Sequence, residues 1–151
     1  MSGSASPAPE RLVCDTSFVG VIARRSARPA EFGRWPRETI ARLDAAILAI
    51  SVITLAEARF GYLSAGWGPS RIDREDRRLA SFLQIPLDDT VIDEWARLKV
   101  LSRKNGWNVA DNDLWIAATA SARGHALVTC DGDQARIDDP SLEVLHLSVS
   151  P

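Results

Sequence analysis

Hydrophobic positions fall into short runs that alternate with amphipathic stretches. Leu12-Val13-Cys14 is a brief apolar run that stops at Asp15, and Phe18, Val19, Val21 and Ile22 follow at helical spacing. This predicts a buried strand feeding directly into a helix. Residues 24–36 are rich in Arg, Ser and Pro without apolar periodicity, so a loop or an imperfect helical hairpin is expected there, ahead of a helix near 37–45. The apolar run 47–53 predicts a second strand, with Thr54 as N-cap of a helix carrying Leu55, Ala58 and Leu63. Gly66-Trp67-Gly68-Pro69 breaks the chain, and 71–83 has the charged-outside, apolar-inside pattern of a surface helix. Ile85-Pro86-Leu87 reads as a short extended segment whose proline places it at a sheet edge or a strand start. Thr90 opens a long helix with Val91, Trp95 and Leu98 as its stripe, and a further helix over 112–123 turns Ile116, Ala117 and Ala120 inward. Gly124 ends that helix and delivers Ala126-Leu127-Val128-Thr129 as a core strand; a last strand lies within 142–147. Strands alternating with helices give an α/β fold, a three-layer α/β/α arrangement around a mainly parallel sheet, without internal repeats.

Composition narrows the function. The 151 residues suit one domain, and 46% hydrophobic with 25% charged residues is globular composition. The expected organisation is a Ser/Ala/Pro-rich disordered tail over 1–10, unlike a signal peptide, and one domain over 11–151. A net charge of −2 excludes nucleic-acid binding by bulk charge, so any such binding must be local. Two distant cysteines, Cys14 and Cys130, argue against a disulfide framework and a four-ligand zinc site. The most apolar stretch, 45–56, is well short of the roughly 20 residues that cross a bilayer. A soluble, cytoplasmic protein with no membrane partner is expected.

The chemistry then rests on acids at strand ends, where ligands of an open parallel sheet bind. Asp15 follows the first strand and Asp131 follows the 126–129 strand at nearly the same offset. Glu57 lies one helical turn after the second strand, and Asp113 sits in the first turn of a helix on its inward face. Each has a purely structural alternative: Asp15 as a helix cap, Asp131 in a turn with Gly132, Thr54-x-x-Glu57 as a capping box, and Asp113 placed by the macrodipole with Asp111 as N-cap. Four unrelated caps have no reason to meet at adjoining strand ends, however. Like charges in a partly desolvated crevice raise one another's pKa values unless a cation sits between them. Carboxylate oxygens suit Mg²⁺ or Mn²⁺, whereas zinc would want His and Cys, and His125 and His146 are too far apart for a paired motif. Such an ion activates water for attack on a phosphodiester, which describes a nuclease.

At these residues the chain resembles the PIN-domain ribonucleases, and among them the VapC toxins of bacterial toxin-antitoxin pairs. The resemblance runs from Leu12 onward through four ordered motifs: Val13-Cys14-Asp15-Thr16-Ser17, the stretch Ser51 through Glu57, Asn112-Asp113 with the helix that follows, and Leu127 through Asp133. It implies that Asp15, Glu57, Asp113 and Asp131 are the catalytic acids, with Asp15, Asp113 and Asp131 holding Mg²⁺ or Mn²⁺. Ser17 and Thr129 would orient a carboxylate or water, and Asp133 would support the site more loosely. Gln134 departs from the aromatic residue the family often has after the last acid. The resemblance further implies cleavage of a structured tRNA or rRNA, inhibition of translation, a homodimer, and a cognate VapB-like antitoxin that covers the site.

The residues add candidate phosphate contacts. The arginines of the first 42 positions outnumber the acids, with Arg24, Arg25 and Arg28 nearest the first helix; a solvated surface is the alternative. The tryptophans are expected as core or interface anchors, with Trp35 and Trp67 in loops as candidates for stacking on bases. Two rival functions stand beside the nuclease: a catalytically silent PIN-fold binding module, and a phosphatase with Asp15 as covalent nucleophile. The latter wants an acid at position 17, where Ser stands, and a catalytic lysine, for which there are only Lys99 and Lys104.

Overall fold

Every predicted strand is found in the computed structural model, which describes residues 3–27 and 35–149, the side chains of Arg25, Ser26 and Ala27 excepted. The elements run β1 (Arg11–Cys14), α1 (Thr16–Ala27), α2 (Arg37–Ala45), β2 (Ile47–Ser51), α3 (Val52–Ser64), α4 (Pro69–Ala80), β3 (Leu83–Ile85), α5 (Asp89–Asn105), α6 (Asp111–Ala122), β4 (Ala126–Thr129), a 3-10 turn (Gln134–Arg136) and β5 (Val144–His146). The five strands form one parallel sheet in the order β3-β2-β1-β4-β5. The extended segment expected over 85–87 is an edge strand shifted to Leu83–Ile85, which ends before Pro86.

Alternation along the strands sorts side chains to the two faces and so builds two cores. Leu12, Cys14, Ile50 and Val128 join Phe18 and Val19 of α1, Leu43 of α2, Tyr62 of α3 and Leu79 of α4. Val13, Ala49, Ile85 and Leu127 join Val91 and Leu98 of α5 and the buried face of α6. Helix α6 is apolar nearly all round because the sheet covers one side and α5 another; Leu114, Ile116, Ala117, Ala118 and Ala120 have no exposed surface.

Local chemistry sets the helix ends, and three helix starts depart from the sequence reading. β2 runs into α3 without a loop, so the last strand residue is the cap: the Ser51 hydroxyl accepts from the Ile53 N–H at 3.1 Å. Thr54 is therefore inside the helix and buried, and Thr54-x-x-Glu57 is not a capping box. The chain also enters α6 through an extended Ala110, which leaves Asp111 as first helical residue and not its N-cap. Asp111 instead takes a hydrogen bond from Lys99 on α5 at 2.5 Å. Helix α5 begins one residue earlier than expected, because Asp88 accepts from the Val91 N–H at 3.1 Å. It ends on Gly106 at φ 63°, a left-handed conformation that glycine adopts without strain.

Among the described residues no helix is long and apolar enough to cross a membrane.

Candidate active site

The strand order reverses between β1 and β4: the chain lays β2 and β3 to one side of β1, then returns to add β4 and β5 on the other. At such a switch point the outgoing loops part and leave a crevice at the carboxyl ends of the strands. Asp15 leaves β1 there and Asp131 follows β4, and the pairing of Cys14 with Val128 brings the two strand ends level.

Asp15 is 2% exposed and both of its oxygens are engaged. Oδ1 accepts from the Phe18 N–H at 2.8 Å, capping α1, and from the Ser17 hydroxyl at 2.7 Å; Oδ2 accepts from the Thr129 hydroxyl. Thr129 in turn accepts from the Asp131 N–H at 2.9 Å, and Ser17 from the Cys130 N–H at 3.0 Å. Two hydroxyls thus tie the first acid to the loop carrying the last one. Asp131 closes a turn by accepting from the Asp133 N–H at 2.9 Å. The capping and turn readings of Asp15 and Asp131 are therefore correct, and both residues still belong to the crevice.

Glu57 reaches the same region from α3, where the Thr16 hydroxyl donates to it at 2.7 Å. Asp113 arrives from the first turn of α6 and is half-buried. Burial is the largest influence on its carboxyl, followed by the charges of Asp131, Glu57, Asp15 and Asp133, and together they push it up to about 6. Burial likewise raises Asp15, against the opposing pull of its three hydrogen bonds. None of Asp15, Glu57, Asp113 and Asp131 pairs with a basic side chain among the described residues. Asp133 stands at the rim, bonded to Arg136 at 3.2 Å.

As the side chains stand, no three His, Cys, Asp or Glu among the described residues close around a common ion position. The donor set nevertheless fits a hard divalent cation. It consists of carboxylate oxygens that repel one another in a partly buried cleft, with neither imidazole nor thiolate among them. Cys14 and Cys130 are free thiols raised by burial, which marks inert groups and not metal-binding thiolates.

Three residues have supporting roles at the site that the sequence did not assign to them. Thr16 holds Glu57, and the buried Thr54 lies 3.3 Å from Thr16. Only the packing of α1 against α3 distinguishes Thr16 from its neighbour Ser17 in this respect. Gln134 is fully buried, and its Nε2 donates to the Asp113 carbonyl at 3.0 Å, which pins the loop after Asp131 to the start of α6. An amide does here by hydrogen bonding what an aromatic ring would do by packing.

Of the proposed phosphate contacts, Arg24 is exposed on α1 without an ion pair among the described residues, and its charge is felt at Cys130 beside the crevice. Arg25 lies on α1 with its side chain outside the described set, and Arg28 lies outside the described residues. The stacking role for Trp35 and Trp67 is corrected. Trp35 is buried, stacks on Phe18 at 6.0 Å and donates to the Ser148 carbonyl. Trp67 has Tyr62 against its ring at 5.0 Å and the Arg71 guanidinium over it at 3.6 Å. Of the two lysines a phosphatase would need, Lys99 is engaged with Asp111 and Lys104 is exposed near the far end of α5.

Comparison with known proteins shows the family to which this chain belongs. The PIN domain matches residues 12–140. Ribonuclease VapC4 of Mycobacterium tuberculosis (strain ATCC 25618 / H37Rv) is 35% identical over 144 residues, 91% of this chain and 97% of its own. Ribonuclease VapC5 of the same strain is 36% identical over 113 residues, 70% of this chain and 84% of its own. The crystal structure of VapBC-5 from M. tuberculosis, a member of the VapBC family of toxin-antitoxin systems, aligns at a TM-score of 0.66 with 32% identity, covering 91% of this chain and 99% of that one. VapBC2 from Rickettsia felis, at 23% identity and a TM-score of 0.70, shares the fold. The chain belongs to the PIN-domain family and, within it, to the VapC ribonucleases.

Proposed function

We propose that this protein is the toxin of a VapBC-type pair: an endoribonuclease that uses Mg²⁺ or Mn²⁺ to cut a structured tRNA or rRNA and so stops translation. The observation that carries this reading is the half-buried Asp113, whose carboxyl is raised to about 6 by burial and by four neighbouring acids, of which only Asp133 at the rim has a basic partner among the described residues. A site that concentrates uncompensated negative charge is built for a cation, and its all-oxygen donors select a hard one.

Asp15, Asp113 and Asp131 would hold the ion, with Glu57 at the edge of the set. A bound Mg²⁺ or Mn²⁺ supplies Lewis acidity for the attack of water on a phosphodiester. The protein's own part is positioning. Ser17, Thr129 and the Phe18 N–H fix the Asp15 carboxylate, Thr16 fixes Glu57, and Gln134 fixes the backbone of Asp113. Arg24, with Arg25 and Arg28 beyond it, would offset the repulsion between the acidic crevice and the polyanion. The relatives' names and the VapBC structures support a VapB-like antitoxin as partner. The exposed Leu63, Ile92 and Val100 on α3 and α5 offer surface for a homodimer to cover.

The test is cleavage of purified RNA by the wild type beside Asp15→Asn and Asp113→Asn, with Mg²⁺, with Mn²⁺ and with EDTA. Cleavage by the wild type alone, and only with metal, is the expected result; equal cleavage by Asp15→Asn overturns the reading. The silent-module alternative expects no cutting under any condition, and a phosphorylated Asp15 in the mass spectrum would favour the covalent one.

A further inference from the structure

We propose that Phe60 and Asn112 form a nucleobase subsite beside the acidic crevice, Phe60 stacking on the base of a nucleotide next to the cut and Asn112 pairing with its edge. The inference rests on the nuclease reading above and adds to it a residue pair that selects the nucleotide.

Phe60 is 72% exposed, and its ring stacks on no other ring among the described residues. An isolated exposed apolar side chain is ordinary; its position makes this one informative. It stands three residues after Glu57 on α3, on the same side of the helix, and the two border a cavity of about 450 Å³ together with Thr16, Ala56 and Asn112. Glu57 is the crevice acid among its lining residues, and Asn112 adjoins Asp113 in sequence. The aromatic faces first expected to bind bases, Trp35 and Trp67, are taken by Phe18, Tyr62 and Arg71, which leaves Phe60 as the free aromatic face bordering this cavity among the described residues.

Asn112, from the first turn of α6, also lines the cavity. It is exposed, immediately precedes Asp113, and its carboxamide has no partner among the described residues. A carboxamide presents a donor and an acceptor side by side, the complement of adenine's amino group and adjacent ring nitrogen. Proteins that read unpaired RNA combine these two elements, an aromatic platform for the base and a polar group for its edge. Leu63, also exposed on α3, does not border the cavity, so the subsite is separable from an apolar interface further along the helix.

Total RNA digested with Mn²⁺ and sequenced from the new ends gives the base beside each cut, and KM and kcat are then measured on the species cut most strongly. Wild type, Asp15→Asn, Phe60→Leu, Phe60→Trp and Asn112→Ala are compared, with the mass of each in solution from light scattering. Phe60→Leu keeps apolar bulk and loses the aromatic face; it is expected to raise KM roughly 5- to 100-fold, the worth of one stacked base, with kcat little changed. Phe60→Trp restores KM, and Asn112→Ala evens out a preference for adenine. Wild-type KM in Phe60→Leu, or an unchanged base preference in Asn112→Ala, overturns the inference and leaves the nuclease standing. Loss of activity in both Phe60 variants together with a halved mass makes Phe60 a contact between copies and also overturns it. A wild type that cuts nothing overturns the nuclease reading and this inference with it.

Discussion

The molecule treats its acids in two opposite ways. Away from the crevice, the part-buried carboxylates that tie elements together are matched to arginines. Arg42 bonds Glu10 at 2.6 Å and Glu143 at 2.7 Å, tying α2 to the residue before β1 and the residue before β5. Arg97 of α5 bonds Glu94 at 2.8 Å and Asp139 at 2.6 Å, holding the loop before β5 against α5, and Ser121 and Ser141 complete that network. These acids lie below their ordinary pKa because a guanidinium faces each of them. In the crevice, hydroxyls and backbone N–H groups face the carboxylates, and the two acids that shift do so upward. The same chain thus neutralises acids where it needs structure and leaves them uncompensated where the strands diverge. A clasp holds its fold together; the uncompensated charge of the crevice works against stability, a cost that the proposed cation would offset.

Substitutions break this contrast from either side. The largest effect is expected from Asp113→Asn, which should lower RNA cleavage by about 1,000-fold, the order associated with losing a group that organises transition-state charge. The same substitution removes a repelled charge, so the melting temperature of the metal-free protein should hold or rise. Saturating Mn²⁺ should then raise the wild-type melting temperature well above that of the variant, since a ligand that binds only the folded state stabilises it by mass action.

Breaking the clasp should do the reverse. Arg97→Ala leaves Asp139, whose side chain is 6% exposed, without its counter-charge, and should cost about 2 kcal/mol in a denaturant titration while kcat stays at the wild-type value.

A smaller effect sharpens the comparison through pH. The folded Asp113 carboxyl lies near 6 against an ordinary 3.8, so folding favours its protonated form. Its contribution is complete below about pH 4 and is lost as pH rises through about 6, by linkage. Metal-free wild type should therefore melt higher at pH 5 than at pH 7 relative to Asp113→Asn, in thermal scans run at both values. The smallest effect belongs to Asp111→Asn: an exposed pair with Lys99 at 2.5 Å should be worth no more than about 0.5 kcal/mol, and cleavage should not change. A large loss of activity there would mean that the wrong acid of the Asp111-Asn112-Asp113 triplet has been assigned to the crevice.

Much of this was legible along the chain. Strand positions, the parallel order and the acids at strand ends follow from short apolar runs that stop at Asp15 and Asp131, because a buried parallel strand must be apolar throughout and must end where solvent begins. Helix starts were less legible. Ser51, Thr54, Asp111 and Asp88 are all competent caps by type, and the choice among them depends on how directly a strand or loop enters the helix. Aromatic roles were misread for Trp35 and Trp67 because loop position says nothing about whether a ring's faces are already covered.

The amino-acid order by itself determined that short apolar strands alternate with helices, that the sheet is parallel, and that four acids lie at the ends of its elements, since these depend on patterns within a few residues; element bounds differed, as where α1 runs on to Ala27 and β2 stops at Ser51. Tertiary structure alone decided that Thr129 joins Asp15 to Asp131, that Thr16 serves Glu57, that Gln134 anchors Asp113, and which acids receive an arginine. Those partners are separated in sequence by as much as 114 residues, and their meeting depends on strand order and helix packing, which no local pattern encodes.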